Sequence, residues 1–215
     1  MLDDDFATAE QRRISTALAA IDPTLADESE YWAQDGELWS IYLTAQQVTD
    51  DIVGTLVAEL ALAPRLRIFL EGSKVGPNGI QLLQRLPRLH WLSVGGSVTD
   101  DCLPHISRLH DLMRLDFYKS RITDAGLAPI RDLQRLVTLV IECKALTDAA
   151  IDHVQSLTKL EYLRLLSPKI TDNGLVRLGN LPRLKELAIC GKHITDAGVA
   201  QIRRSIPGLY VTKYP

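Results

Sequence analysis

The residues best placed to do chemistry in this 215-residue chain are five aspartates, Asp100, Asp124, Asp148, Asp172 and Asp196. Each follows a threonine, and Thr99, Thr123, Thr147, Thr171 and Thr195 stand 24 residues apart. An array of carboxylates could hold cations or act as acids and bases, but the threonines supply a local reason for it. Thr is a good N-cap, its hydroxyl accepting from free amides of a first helical turn. An acid in that turn favours the positive end of the helix dipole. Capping is therefore the expected role. Gly126, Gly174 and Gly198 lie in the same turns and are expected to permit close packing between neighbours. No glycine-rich phosphate loop followed by Lys-Ser/Thr is present.

The other candidates are sparse. His90, His105, His110, His153 and His193 form neither H-x-x-x-H nor H-E-x-x-H. His105 and His153 share a repeat position but lie two repeats apart, too distant for one metal. Cys102 falls on a helix, and Cys143 and Cys190 fall after strands two repeats apart. At about 4.8 Å per strand that separation is about 10 Å, beyond disulfide reach. No serine stands in a G-x-S-x-G elbow. The expectation is no enzyme, no cofactor and no metal.

The elements that carry these residues follow from the same period. Val48-Thr49-Asp50 opens the series, and Val75-Gly76-Pro77-Asn78-Gly79 is a degenerate second copy. Within the unit from Leu157 to Asn180, Leu163 and Leu165 alternate as in a half-buried strand. Ile170, Leu175 and Leu178 suit a short helix with one buried face. Such a unit cannot bury its apolar side alone, but stacked on neighbours it can. Strands are expected near Ile41–Leu43, Arg67–Leu70, Trp91–Val94, Arg114–Phe117, Thr138–Ile141, Tyr162–Leu165, Glu186–Ile189 and Tyr210–Thr212. That makes about seven strand–helix units and a closing strand over residues 37–215. In the second unit, Phe69-Leu70-Glu71 leaves the inward side chains open.

The repeat resembles the 24-residue bacterial kind of leucine-rich repeat, L-x-x-L-x-x-L-x-L-x-x-T-x-I-T-D-x-G-L. Leu157, Leu160, Leu163, Leu165, Ile170, Thr171, Asp172, Gly174, Leu175 and Leu178 match it in register. It is also similar to F-box-associated repeats, without an F-box. The resemblance covers about residues 38–212. It implies a right-handed α/β solenoid in a horseshoe arc, with parallel strands on the concave face and short helices on the convex one. It also implies a protein-binding scaffold. Where the family favours Thr, Asn or Cys in the turn, this chain has Ser120, Lys144, Pro168 and Lys192, so no continuous side-chain ladder is expected there.

Strand side chains alternate, so residues between the buried leucines form the outward column. It reads Ser40, Tyr42 and Thr44; Trp91, Ser93 and Gly95; Arg114, Asp116 and Tyr118; Thr138, Val140 and Glu142; Tyr162, Arg164 and Leu166; and Glu186, Ala188 and Cys190. Trp, Tyr and Arg are the residues most enriched at binding hot spots. The candidate partner site is therefore Trp91, Arg114, Asp116, Tyr118, Glu142, Tyr162, Arg164 and Glu186. Cross-strand pairs of Arg114 with Glu142 and of Arg164 with Glu186 are the structural alternative. Arg65, Arg88, Arg135, Lys159 and Arg183 form one basic rim, interrupted by Asp111. Lys74, Arg121, Lys144, Lys169 and Lys192 form another.

Residues 1–36 lack the repeat. Phe6, Ile14, Leu18 and Ile21 suggest an amphipathic helix over Asp4–Ala20, broken by Asp22-Pro23, with Trp32 and Trp39 covering the first repeat. Nine acids against two bases give this acidic helical cap a charge of −7, leaving +4 on the remainder of a chain of net −3. With 46% apolar residues, no apolar run of membrane-spanning length and no signal-like N-terminus, a cytoplasmic protein is expected. The acidic strand-face residues argue against nucleic acid. Lys213 and Pro215 would discourage edge pairing, so a monomer is expected. The function expected is a protein-binding scaffold or adaptor. The alternatives are an inhibitor or immunity protein that blocks a partner enzyme, and, last, a small enzyme on a repeat scaffold.

Overall fold

Nine strands form one open sheet in chain order. The computed structural model describes residues 38–44, 46–60, 65–86 and 88–214, with 32–34 and Thr16, Ala19 and Ala20 near the N-terminus. The strands are β1 (Trp32–Gln34), β2 (Leu38–Tyr42), β3 (Leu66–Leu70), β4 (Leu89–Val94), β5 (Arg114–Phe117), β6 (Thr138–Glu142), β7 (Tyr162–Leu166), β8 (Glu186–Cys190) and β9 (Tyr210–Tyr214). β1 pairs antiparallel with β2, and every later pairing is parallel. The segment expected as an acidic helical cap contributes the strand β1. The helix expected over Asp4–Ala20 lies outside the described residues, apart from helical backbone at Thr16, Ala19 and Ala20. The side chains of Trp32 and Trp39 also lie outside them.

Between the strands run short helices, from the eleven residues of Asp50–Leu60 down to single turns such as Ile151–Val154. Helices this short are marginal alone and hold only by packing an apolar face. Val53, Leu56, Val57 and Leu60 of the first helix follow helical spacing and are all buried. The strand leucines meet them from the other side: Leu115, Leu139, Leu163 and Leu187 are at most 1% exposed. In the second unit Leu66, Ile68 and Leu70 point to this core. Arg67, Phe69 and Glu71 therefore take the opposite face.

The threonines expected as caps sit at helix starts in units three, five, six and seven. Thr147, Thr171 and Thr195 accept from the amides of Ala149, Asn173 and Gly198. Thr99 stands at the N-cap position of Asp100–Cys102 with no side-chain capping bond. Thr123 differs, because its hydroxyl accepts from Gly126 N at 3.2 Å in a turn, and the 3-10 helix Ala128–Asp132 starts later. Thr195→Ala is expected to cost about 1 kcal/mol of unfolding free energy, as caps do. An unchanged denaturant midpoint in that variant would contradict the capping role.

The aspartates do more than favour a dipole. Asp100, Asp124, Asp148 and Asp172 each reach the next repeat, accepting from the backbone N–H and the hydroxyl of Thr123, Thr147, Thr171 and Thr195 at 2.6–2.8 Å. Asp50 accepts from Gly76 N at 2.8 Å in the same manner. The carboxylates are thus inter-repeat staples. They also explain the glycines, since a Cβ at Gly126, Gly174 or Gly198 would fall 1.8–2.2 Å from the preceding aspartate's Oδ1. One position before the irregular turn residues, Cys143 Sγ donates to Ile122 O and Ser167 Oγ to Leu146 O, a ladder of two rungs.

Candidate functional site

Parallel pairing aligns the outward side chains into rows. One row runs Ser40, Arg67, Trp91, Arg114, Thr138, Tyr162, Glu186, Tyr210. A second runs Tyr42, Phe69, Ser93, Asp116, Val140, Arg164, Ala188, Thr212. Past them, Glu142 aligns with Leu166 and Cys190 with Tyr214.

The rows divide into two chemically different halves. In the first, Tyr42 stacks on Phe69 with centroids 4.3 Å apart, and Phe69 meets Trp91 edge-on at 4.9 Å. The Arg114 guanidinium lies 4.0 Å from the Trp91 ring centre, and that of Arg67 lies 5.3 Å from it. Beneath them Asp116 is 1% exposed, and accepts from Trp91 Nε1 at 2.7 Å and from Arg114 Nε at 2.9 Å. Ser93 donates to Glu71 beside it. This half is a closed block whose polar groups satisfy one another.

Asp116 is therefore not the exposed contact residue expected from strand alternation. Two long side chains fold over a short one and take it out of water. Arg114 pairs with Asp116 on its own strand, not with Glu142. Loss of water raises the Asp116 carboxyl above its ordinary range; Arg114 and Trp91 oppose that rise, and Glu71 adds to it. Burial, and then the Asp116 charge, likewise push the Tyr118 phenol up. A carboxyl raised in the folded state contributes stability that is full below its unfolded value, near 3.8, and is lost as pH rises through the folded value. Compared with Asp116→Asn, the parent is thus expected to lose melting temperature as pH climbs from 3.8. A difference that stays flat across that range would rule out a raised Asp116.

The second half is open. Arg164 Nη2 lies 3.1 Å from Glu142 Oε1, so Arg164 pairs with Glu142 and not with Glu186. Its guanidinium also lies 5.4 Å from the Tyr214 ring centre. Arg164 stands between Val140 and Ala188; its side chain is 31% exposed, and its Nε is buried without a partner. Tyr162 is half-buried, Glu186 is exposed and Tyr210 is 65% exposed. The structure thus brings Trp91, Arg114 and Asp116 together in one block, and Glu142 and Arg164 together in another. Tyr210 and Tyr214 extend the open half, and both were readable as the positions 24 residues beyond Glu186 and Cys190. Arg67 and Phe69 were hidden by the irregular second unit.

Among the described residues no group of His, Cys, Asp and Glu is arranged to hold a metal ion. Cys102 and Cys143 are buried and Cys190 partly so, all as free thiols. Of the rim charges, Arg135 pairs with Asp111; beside the rim, Lys185 pairs with Glu161 at 2.7 Å. No described helix is long and apolar enough to cross a membrane.

No family model matches the sequence, and no curated protein matches it. Solved structures do. An internalin (inlF) of Listeria monocytogenes is 18% identical with a TM-score of 0.59, over 96% of this chain and 56% of that one. A chain of the yeast Rad7 and Elc1 complex is 21% identical with a TM-score of 0.55, over 76% of this chain and 44% of that one. The chain thus spans about half the length of these structures. With the 24-residue period and the parallel sheet, the likeness defines the fold as a leucine-rich repeat solenoid.

Proposed function

We propose that the protein is a non-enzymatic, cytoplasmic scaffold that binds a partner protein on its strand face. The observation that carries this reading is the contrast between the two halves of that face. Trp91, Arg114 and Asp116 form a hydrogen-bonded block, whereas Glu186 and Tyr210 stand exposed beside the half-buried Tyr162 and Arg164 on paired strands. Arginine and tyrosine on a preorganised surface are the residues interfaces use as anchors. The solved Rad7 and Elc1 complex is a protein assembly that contains a chain of this fold. Free, buried thiols suit a reducing compartment. The test is capture from native lysate on immobilised parent protein and on Tyr162→Ala/Arg164→Ala. A protein retained by the parent and lost with the double variant supports the reading. Equal retention on both moves the site elsewhere.

A further inference from the structure

Where β5, β6, β7 and β8 run into their loops, a groove of about 790 Å³ opens beside the strand face. Its floor is apolar, with Cys143, Ala145, Leu166 and Pro168. Its rim carries Lys119, Arg121 and Lys144, all exposed. The one carboxylate lining it, Glu142, is already held by Arg164 at 3.1 Å. Neither Lys119 nor Lys144 has an ion pair among the described residues. Ser120, also in the lining, is only 6% exposed, yet its hydroxyl has no hydrogen-bond partner. Buried hydroxyls are nearly always paired, so an unpaired one in a groove wall marks a place for an acceptor.

We propose that this groove binds an acidic, apolar peptide segment of the partner, a carboxylate meeting Lys119, Lys144 and Ser120 while a neighbouring aliphatic side chain covers Leu166 and Pro168. The inference rests on the reading of the strand face as a protein-binding surface and names the partner's chemistry at its edge. Two cations without ion pairs, Lys119 and Lys144, favour an anionic ligand, and the apolar floor selects a peptide over a small inorganic anion.

Cys190 lies in the groove and reports on it. Its thiol is pushed up by burial and by Glu142, so alkylation proceeds through a minor thiolate fraction and is followed in alkaline buffer, about pH 9. Cys102, buried and outside the groove, serves as the unreactive reference. The probes are the blocked pentapeptide Glu-Leu-Glu-Leu-Glu, its lysine–leucine and glutamate–glycine counterparts, and inorganic phosphate. Glu-Leu-Glu-Leu-Glu alone is expected to slow alkylation of Cys190 by iodoacetamide, about fivefold at several times its Kd. Lys144→Glu with Lys119→Asn should raise the concentration needed about tenfold. Asn is chosen because Lys119 has φ 51°, a left-handed conformation that Asn tolerates. Tyr162→Ala, outside the groove, should leave protection unchanged, so failure here is separable from failure of the strand-face reading. No protection by Glu-Leu-Glu-Leu-Glu, or equal protection by the lysine peptide, the glycine peptide or phosphate, overturns the proposal.

Discussion

Gly174→Ala is expected to destabilise the fold by about 1–3 kcal/mol, and to do so much less when Asp148 is replaced as well. An added Cβ would lie 2.2 Å from Asp148 Oδ1, the carboxylate that accepts from Thr171 N and Thr171 Oγ1 at 2.8 and 2.6 Å. Either the staple breaks or the turn shifts. Asp148→Ala alone should also cost about 1–3 kcal/mol, because it strands the Thr171 amide. In the double variant the new methyl fills space the carboxylate has left. Its total loss should therefore fall short of the sum of the singles by about 1–2 kcal/mol. The natural repeats already make this exchange once. Where the second unit has Pro77 in place of aspartate, the third has Cys102, not glycine, and Cys102 is fully buried. Ala150 faces Asp124 without a glycine, and there, as at Cys102, the first turn is a 3-10 turn. Strict additivity of the two substitutions in denaturant unfolding would show that the carboxylate and the glycine are independent.

That coupling shows where sequence reading stops. The threonine spacing, the strand positions and the parallel order follow from a period of 24 and the change of apolar periodicity inside each unit. The local role of Thr147 or Thr171 follows too, because a cap acts within three residues. Asp148 reaching Thr171 does not, since a contact across 23 positions exists only once turns stack in register. The paired absence of Asp and Gly at Pro77 and Cys102 was the one written clue. On the strand face the rows were legible from alternation, including Tyr162, Arg164 and Glu186. The burial of Asp116 was not, because it depends on how Trp91 and Arg114 lie across it. Arg164 chose Glu142 over Glu186 for a similar reason: rotamers, and not strand order, decide which neighbour a long side chain meets. Thr123 failed as a helix cap because its unit has only a turn before Ala128-Pro129 starts a 3-10 helix.

The second large effect concerns the open half of that face. Tyr162→Ala/Arg164→Ala should weaken partner binding by about 2 kcal/mol or more, some thirtyfold, if both act as anchors. The same change should alter folding stability by about 1 kcal/mol or less. The Arg164–Glu142 pair is part-exposed, at 31% and 24%, and such pairs contribute little net stability. Leu163 lies between the two on β7 and faces the core with no exposure. Leu163→Ala should cost about 2–5 kcal/mol of stability, the range for a buried leucine that leaves a cavity. Three neighbouring residues thus separate binding from folding, because alternate side chains of one strand face opposite ways.

The most direct measurement is titration calorimetry of the captured partner against parent and Tyr162→Ala/Arg164→Ala, with thermal melts of both and of Leu163→Ala. A strand-face scaffold predicts a double variant that melts with the parent and binds about thirtyfold more weakly, beside a Leu163→Ala protein that melts well below both. A double variant that melts normally and binds as tightly as the parent would contradict the assignment of the partner to this face.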